Sequence, residues 1–498
     1  MKAPSRSRCL WWVGVACWCV TSHQAWASGP PRRNVVLVTF DDLRQDTPGF
    51  NGGPAKTPHM DRLAKISTNF RNAMTTVGLC SPSRATLFTG RYGHQTGLDD
   101  NCHVWHSRLD ELDDNETTLI EWSRKAGYFV GYFGKWHLGR GGPTRRGAHR
   151  PAIKTSERPR KQIYRKPDGY NTIRRYYEPG RTFGEKPEYY GTRKGTYGDT
   201  GECKTSRGAI AFLKEAADRD RPFFLCVNYH GPHPPYRVPI PYNKMYAARE
   251  VSLPGNFLHR SDDKPRYQND PLWYWHDVGH LTELDWRKMN SHYWGFVSLV
   301  DRALGQLLGT LDELQLSDNT MVVLVGDQGS MLGEHALYDK GPYCYDELMR
   351  IPLLIRVPAA RPGTVHRQVS IIDINQTIVD WLALEPDNKQ RFSRSLLPLV
   401  RQESDAWHDV PDAAFYRYEW YNGKWYGIRA VRTPRWKYCW NPVGIDELYD
   451  MKNDAEETLN RINDPQVAGE LKRLQRQLLA HLEETGDPAA DRFRIDAN

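Results

Sequence analysis

The sequence predicts an α/β fold: a large, mostly parallel β-sheet sandwiched by helices, followed by a smaller C-terminal α+β subdomain. Three observations predict it. Up to about residue 385, short apolar runs of strand length alternate with amphipathic segments of helix length. Beyond that point, short strand-like runs follow one another without intervening helices. The chain is 498 residues long, 39% hydrophobic and 26% charged, enough for one large core plus a smaller one and unlike a disordered composition.

The apolar runs are NVVLVTF (34–40), YFVGYF (128–133), FFLCVNY (223–229), TMVVLVG (320–326) and PLLIRV (352–357). Apolar at successive positions, they read as buried parallel strands covered on both faces. Between them, MDRLAKIS after Pro58, TLIEWSRKAG ending at Gly127, SRGAIAFLKEAAD and WGFVSLVDRALGQLLGTLDEL carry helical periodicity. The later strands are AAFYRYEW, YGIRAVRT and WKYCWN, and an amphipathic helix is expected over about 465–484. No internal repeat or low-complexity tract interrupts this order.

The N-terminus has the form of an export signal. Lys2, Arg6 and Arg8 precede the apolar stretch CLWWVGVACWCV (9–20), which is too short to span a bilayer, and AWA (25–27) has the small-x-small form of a cleavage site. The expected division is a signal peptide over 1–27, a catalytic domain over 28–385 and a C-terminal subdomain over 386–498. The mature protein is expected in the periplasm or secreted, without stable membrane insertion. It would keep six cysteines, at 80, 102, 203, 226, 344 and 439, with no C-x-x-C pair to hold zinc.

Residues 140–194 hold 16 Lys/Arg against 5 Asp/Glu, a net of +11 in a chain whose total is +8. Such a run is either a solvated loop or a docking surface for a polyanion. Export argues against nucleic acid and leaves acidic or sulfated glycans.

Open α/β sheets bind ligands at the carboxyl ends of their strands. Here the first strand runs into Asp41-Asp42, the second into Lys135 and His137, the third into His230 and His233, and the fourth into Asp327-Gln328. Three carboxylates and an amide suit a hard divalent cation, and Ca2+ tolerates amide oxygens and irregular geometry better than Mg2+. The stretch LCSPSRATLFTG (79–90) places Cys80 before a short helix closed by Gly90. A disulfide, a core thiol and a catalytic group are each compatible with Cys80. With Arg84, Lys135 and Lys340 nearby, the assembly suits a tetrahedral oxyanion.

CSPSRATLFTG resembles the signature of the type I sulfatases of the alkaline-phosphatase superfamily. VTFDDLR, GYFGKWHLG, HGPHPPY, GDQGSMLGEHALYDKG and DELYDMKND resemble further segments of the same family, in order along most of the chain. The resemblance implies an alkaline-phosphatase-like sheet and an exported sulfuric ester hydrolase acting on a sulfated carbohydrate. It implies that a formylglycine-generating enzyme converts Cys80 to 3-oxoalanine (formylglycine). It also implies Ca2+ held by Asp41, Asp42, Asp327, Gln328 and the modified Cys80. Arg84 and Lys135 would hold the formylglycine and the sulfate, His137 the hydrate and Lys340 the sulfate, and His233 would protonate the leaving alcohol. Gln328 departs from the family's usual Asn or His. His230, His94, Trp105, Trp273 and His276 are candidates for substrate contact, and the Asp327-to-Lys340 spacing is similar to that of iduronate sulfatases. Two alternatives stand beside this reading: a phospho- or phosphonoesterase of the same superfamily, and a sulfated-glycan-binding protein with unmodified Cys80.

Overall fold

A computed structural model describes Met1 and residues 33–102, 109–149, 188–219, 221–269, 276–387, 389–403, 405 and 407–496. The expected signal peptide, the central part of the basic insert (150–187), Trp105 and Trp273 lie outside the described residues.

The large sheet has eight strands. Seven are labelled here: β1 (Asn34–Asp41), β2 (Thr68–Met74), β3 (Phe129–Gly134), β4 (Phe223–Pro232), β5 (Thr320–Gly326), β6 (Leu353–Arg356) and β7 (Gly363–Ser370). The order is β2-β6-β5-β1-β4-β3, and β7 and the two-residue strand Arg350–Ile351 both pair with β2. β1 is parallel to β4 and β5, and β3 is parallel to β4. One expectation is corrected: β6, within PLLIRV, runs antiparallel to both β5 and β2. A parallel return needs a crossover, usually a helix. Between β5 and Arg350 the described helical content is only Asp346–Met349, so the chain turns back beside β5.

Side chains along β1 alternate between two cores. Val36, Val38 and Phe40 pack with α1 (Pro58–Ala64) and the two long helices described below. Val35 and Leu37 face the opposite layer, with α2 (Cys80–Thr89), α3 (Leu119–Lys125) and a later helix. This is the period of two of a strand covered on both sides. The long helices are α4 (Gly201–Asp218), through Phe212, and α5 (Glu283–Glu313), through Leu304 and Leu307. α6 (Asp373–Leu382) completes the second layer through Ile374 and Ile378. Thr118 and Thr282 start α3 and α5 with capping boxes closed by Glu121 and Asp285.

A four-stranded antiparallel sheet follows: β8 (Ala414–Tyr421), β9 (Lys424–Arg432), β10 (Trp436–Trp440) and β11 (Glu447–Asp450). Asn422 and Gly423 join β8 to β9 with φ of 52° and 75°. Both centres of a type I′ turn need positive φ, which Asn-Gly tolerates well. The last long helix, α7 (Ala468–Thr485), lays Leu474, Leu478 and Leu482 on Val431, Tyr438 and Trp440. Among the described residues, no helix is long and apolar enough to cross a membrane. The six cysteines from 80 to 439 are all buried free thiols.

A buried charge network joins β10 to the segment after the site. Lys437 is fully buried, bonds Asp346 at 2.9 Å and pairs with Glu457, while Arg432 reaches Asp346 at 3.2 Å. Removing one member strands the others without compensation. Lys437→Met should therefore lower unfolding free energy by about 3–5 kcal/mol, read by urea or thermal denaturation.

Candidate active site

Parallel register brings four strand ends side by side. Phe40 pairs with Gly326 and with Tyr229, and Asn228 pairs with Gly134. The residues just beyond are Asp41-Asp42, Asp327-Gln328, His230 and Lys135, so residues far apart in sequence meet along one edge. The Asp327 amide donates to the Phe40 carbonyl at 3.1 Å, and the Asp42 amide donates to Asp327 Oδ1 at 3.2 Å.

The signature helix α2 is buried along its whole length. Cys80 stands at its first position, 1% exposed, after extended Leu79. Gly90 ends it at φ 70° and donates to the Thr86 carbonyl. The polar residues of the signature each tie down a neighbour. Ser81 Oγ donates to the His137 carbonyl at 2.6 Å, and Ser83 Oγ donates to the Asp327 carbonyl at 2.7 Å. Arg84 Nε donates to Asp327 Oδ2 at 2.9 Å, and its Nη1 donates to the Lys135 carbonyl and Asn228 Oδ1, both at 3.2 Å. Arg84 Nη2 is buried without a partner.

Three carboxylates are fully buried here: Asp41, Asp42 and Asp327. Oxygens from all three lie within 4.8 Å of one another. Lys135 pairs with Asp41, and Lys340 reaches both Asp42 oxygens at 2.7 and 2.8 Å. Burial alone would raise Asp41, but Lys135, His233 and His230 hold it well below the usual carboxylate range. Burial raises Asp42, with Lys340 opposing and Asp41 adding. Burial and Asp41 push Asp327 up to about 7 against the pull of Arg84. Gln328 Nε2 donates to Asp42 and lies 3.2 Å from Cys80 Sγ. Gln328 Oε1 and Asp41 Oδ1 are buried without hydrogen-bond partners. Crowded carboxylates with unpartnered oxygen donors fit a hard cation such as Ca2+, while Asp41, Cys80 and His233 also come within 4.8 Å of one another.

His230, near the end of β4, and His233, just after it, stack with ring centres 4.9 Å apart. His230 Nδ1 lies 3.3 Å from Asp41 Oδ2, and His233 Nε2 lies 3.9 Å from Asp42 Oδ2. His233 Nδ1 donates to the Pro234 carbonyl at 2.6 Å, which leaves Nε2 turned to the site. Burial and Lys340 hold His233 well below its ordinary pKa, so it rests neutral. Burial and Lys135 do the same to His137, whose backbone is left-handed at φ 57°.

A family model described as Sulfatase matches residues 33–384. The chain belongs to the sulfatase family. A second model, described as N-sulphoglucosamine sulphohydrolase, C-terminal, matches residues 333–484 of this sulfatase. The uncharacterized sulfatase YidJ of Escherichia coli (strain K12) is 28% identical over 473 residues, covering 92% of this chain and 88% of that one. An N-acetylglucosamine-6-O-sulfatase of Bacteroides thetaiotaomicron is 27% identical, covering 91% of this chain and 86% of that one. The structure of a 2-O GAG sulfatase superposes with a TM-score of 0.71 at 22% identity, covering 92% of this chain and 93% of that one. This sulfatase is a sulfuric ester hydrolase of mixed α/β architecture.

The structure gathers Cys80, Arg84, Lys135, His137, His230, His233, Lys340 and the acidic cluster into one place. His94 does not join them as expected. Its Nε2 bonds the Thr485 carbonyl at 3.0 Å, and its ring stacks on Tyr92, so it secures the end of α7. Two arginines of the basic insert are also structural. Arg145 pairs with Glu111 and Asp114, and buried Arg146 bonds Glu121 and the carbonyls of Leu112, Asp113 and Glu116. Sequence reasoning missed Asn228, which holds Arg84 and accepts from Thr39, and Asn101, whose Oδ1 accepts from the Ser81 amide at 2.9 Å. Asn228 is a buried polar residue in the otherwise apolar run of β4, opposite Gly134 at the end of β3, and a polar side chain there could have flagged it.

Arg84 spans three acceptors with a planar fork that an ammonium cannot reproduce. Arg84→Lys should keep the charge yet lower kcat/KM on 4-nitrophenyl sulfate at least tenfold, measured by steady-state kinetics with Ca2+ present.

Proposed function

We propose that this sulfatase is an exported enzyme that hydrolyses sulfate esters of carbohydrates, with formylglycine at position 80 and Ca2+ in the acidic cluster. The observation that carries the reading is Cys80 at a buried helix start, beside three carboxylates and within a ring of Lys135, Lys340, Arg84 and His233. Relatives named for sulfated sugars, such as the N-acetylglucosamine-6-O-sulfatase, support a carbohydrate substrate. The reading removes residues 1–27 on export, makes 28–385 catalytic and leaves 386–498 as the C-terminal subdomain. Because Cys80 is buried, a formylglycine-generating enzyme would meet it before the chain closes over α2.

Converted to an aldehyde hydrate, position 80 would supply two hydroxyls, a nucleophile for sulfur and a second group whose proton loss would let sulfate depart. A cation held by Asp41, Asp42, Asp327 and Gln328 supplies positive charge that favours an ionised hydroxyl. The chain's own groups do the rest. Lys340, Lys135 and the unpartnered Nη2 of Arg84 draw in the sulfate and orient its oxygens. The negative charge of the arriving ester favours protonation of His233. His233 Nε2 then delivers that proton to the departing alcohol oxygen. His230, stacked on His233 and close to Asp41, holds the acid in place.

Peptide mass analysis of active protein should show an aldehyde at position 80. Cys80→Ser should fold and bind substrate, because Ser is well tolerated at a helix start. It should not turn over repeatedly, since a serine sulfate has no second hydroxyl. Steady turnover by Cys80→Ser, or cleavage of aryl phosphate in preference to aryl sulfate, would reject this mechanism.

Chelation should inactivate the enzyme, and Ca2+ should restore it better than Zn2+. In calorimetric titration, Asp327→Ala should weaken Ca2+ binding more than Gln328→Ala, because a charged ligand is lost and not a neutral one. Equal affinity in the wild type and both variants would place the cation elsewhere.

A further inference from the structure

Lys340 has a second set of neighbours that the reaction does not use. They come from three distant segments: Asp339 before it, His276 from the stretch before α5, and Tyr421 at the tip of the β8–β9 hairpin. Asp339 has φ 61°, a left-handed conformation, and its Oδ1 forms a long ion pair with Lys340 Nζ at 3.5 Å, with no close hydrogen bond. His276 is 8% exposed and stacks on Tyr421 with ring centres 5.9 Å apart and planes 28° apart. The His276 ring lies at the long limit of hydrogen-bond reach from the Lys340 backbone, and neither nitrogen has a close, well-aligned partner. Burial, with Lys340 nearby, brings its pKa down to about 3, so the ring is neutral. Asp339 and Lys340 are also the charged neighbours felt by Tyr421, together with Asp100.

Asp339 Oδ1 and both ring nitrogens of the buried His276 lack a close hydrogen-bond partner, and a buried polar atom left so is costly unless something else completes it. They border Lys340, which with His233, the group read above as the acid, approaches Asp42. Their chemistry is selective. A carboxylate accepts from hydroxyl or amine donors, a neutral imidazole both accepts and donates, and a tyrosine ring packs on an apolar sugar face. Among the described residues, the cations at the site each face a carboxylate of the cluster, Lys340 facing Asp42, Lys135 facing Asp41 and Arg84 facing Asp327, and are the groups that take the sulfate. Arg260, near Tyr343, is bonded to Asn269. A uronic acid would bring its carboxylate toward Asp339, a like charge, while the cations nearest the reacting centre are taken by the acidic cluster and the sulfate.

We propose that Asp339, His276 and Tyr421 form the leaving-group subsite, and that it selects a neutral or amino sugar, bound through hydroxyl or amine donors, over a uronic acid. The proposal rests on the sulfatase reading above and narrows it.

The test uses matched methyl glycosides, a hexose and the corresponding uronic acid sulfated at the same carbon, with 4-methylumbelliferyl sulfate as a substrate lacking sugar hydroxyls. The hexose sulfate should be favoured at least tenfold in kcat/KM. Asp339→Asn keeps size and an acceptor but loses the charge, and should move that ratio toward one. His276→Phe keeps the stack, and should cost the hexose sulfate several-fold more than the aryl sulfate. Thermal unfolding checks each variant, and the wild-type ratio decides the matter if one fails to fold. Equal or better use of the uronic acid, or a ratio unmoved by Asp339→Asn, overturns the proposal while leaving the sulfatase reading intact. Failure to cleave every sulfate, the aryl ester included, refutes that reading instead. Calorimetric binding of the same pair to Cys80→Ser then reports the selectivity without turnover.

Discussion

Three carboxylates share one buried pocket, and each is answered by one buried cation. Asp41 faces Lys135, Asp42 faces Lys340 and Asp327 faces Arg84. Burying a charge costs several kcal/mol even after relaxation, so each member is tolerable only while its partner stays in place. The partners sit on different elements: Lys135 after β3, Lys340 directly after the hairpin of Met331–Leu332 and Tyr338–Asp339 that follows β5, and Arg84 on α2. The cluster can form only when the sheet edge, the signature helix and that hairpin are all assembled. This requirement makes the site a consequence of the whole α/β layer and not of any one motif.

The C-terminal sheet belongs to that assembly. Tyr416 Oη accepts from the Gly78 amide and donates to the Tyr343 carbonyl, clamping the approach to α2 against the segment after Lys340. Asn256 and Lys264 bridge His335, Tyr345 and the backbone around Glu456 and Glu457. Farther along, Arg417 pairs with Asp99, beside the loop that carries Asn101 to the start of α2. The smaller sheet thus supports both strands of chemistry: the helix that presents position 80 and the hairpin that presents Lys340. Its β8–β9 hairpin also brings Tyr421 into the electrostatic reach of Lys340 and Asp339.

The sequence by itself determined the α/β class, the strand ends and the chemical character of the site. These are local properties. A run such as TMVVLVG states its burial residue by residue, Asp41-Asp42 and Asp327-Gln328 follow their strands directly, and C-x-P-S-R lies within one helical turn or so. Tertiary structure alone decided the rest. It turned PLLIRV antiparallel, because its direction depends on what the intervening chain does and not on its own residues. It took His230 into the site and His94 out of it, since each histidine's role was set by a partner hundreds of residues away or by a neighbouring strand. It turned Arg146 inward, where a charge run had suggested an outward surface, and it brought Asp339, His276 and Tyr421 together around one lysine. Partner choice is a long-range packing outcome: a side chain's identity lists the bonds it can make, and only the folded chain selects among them.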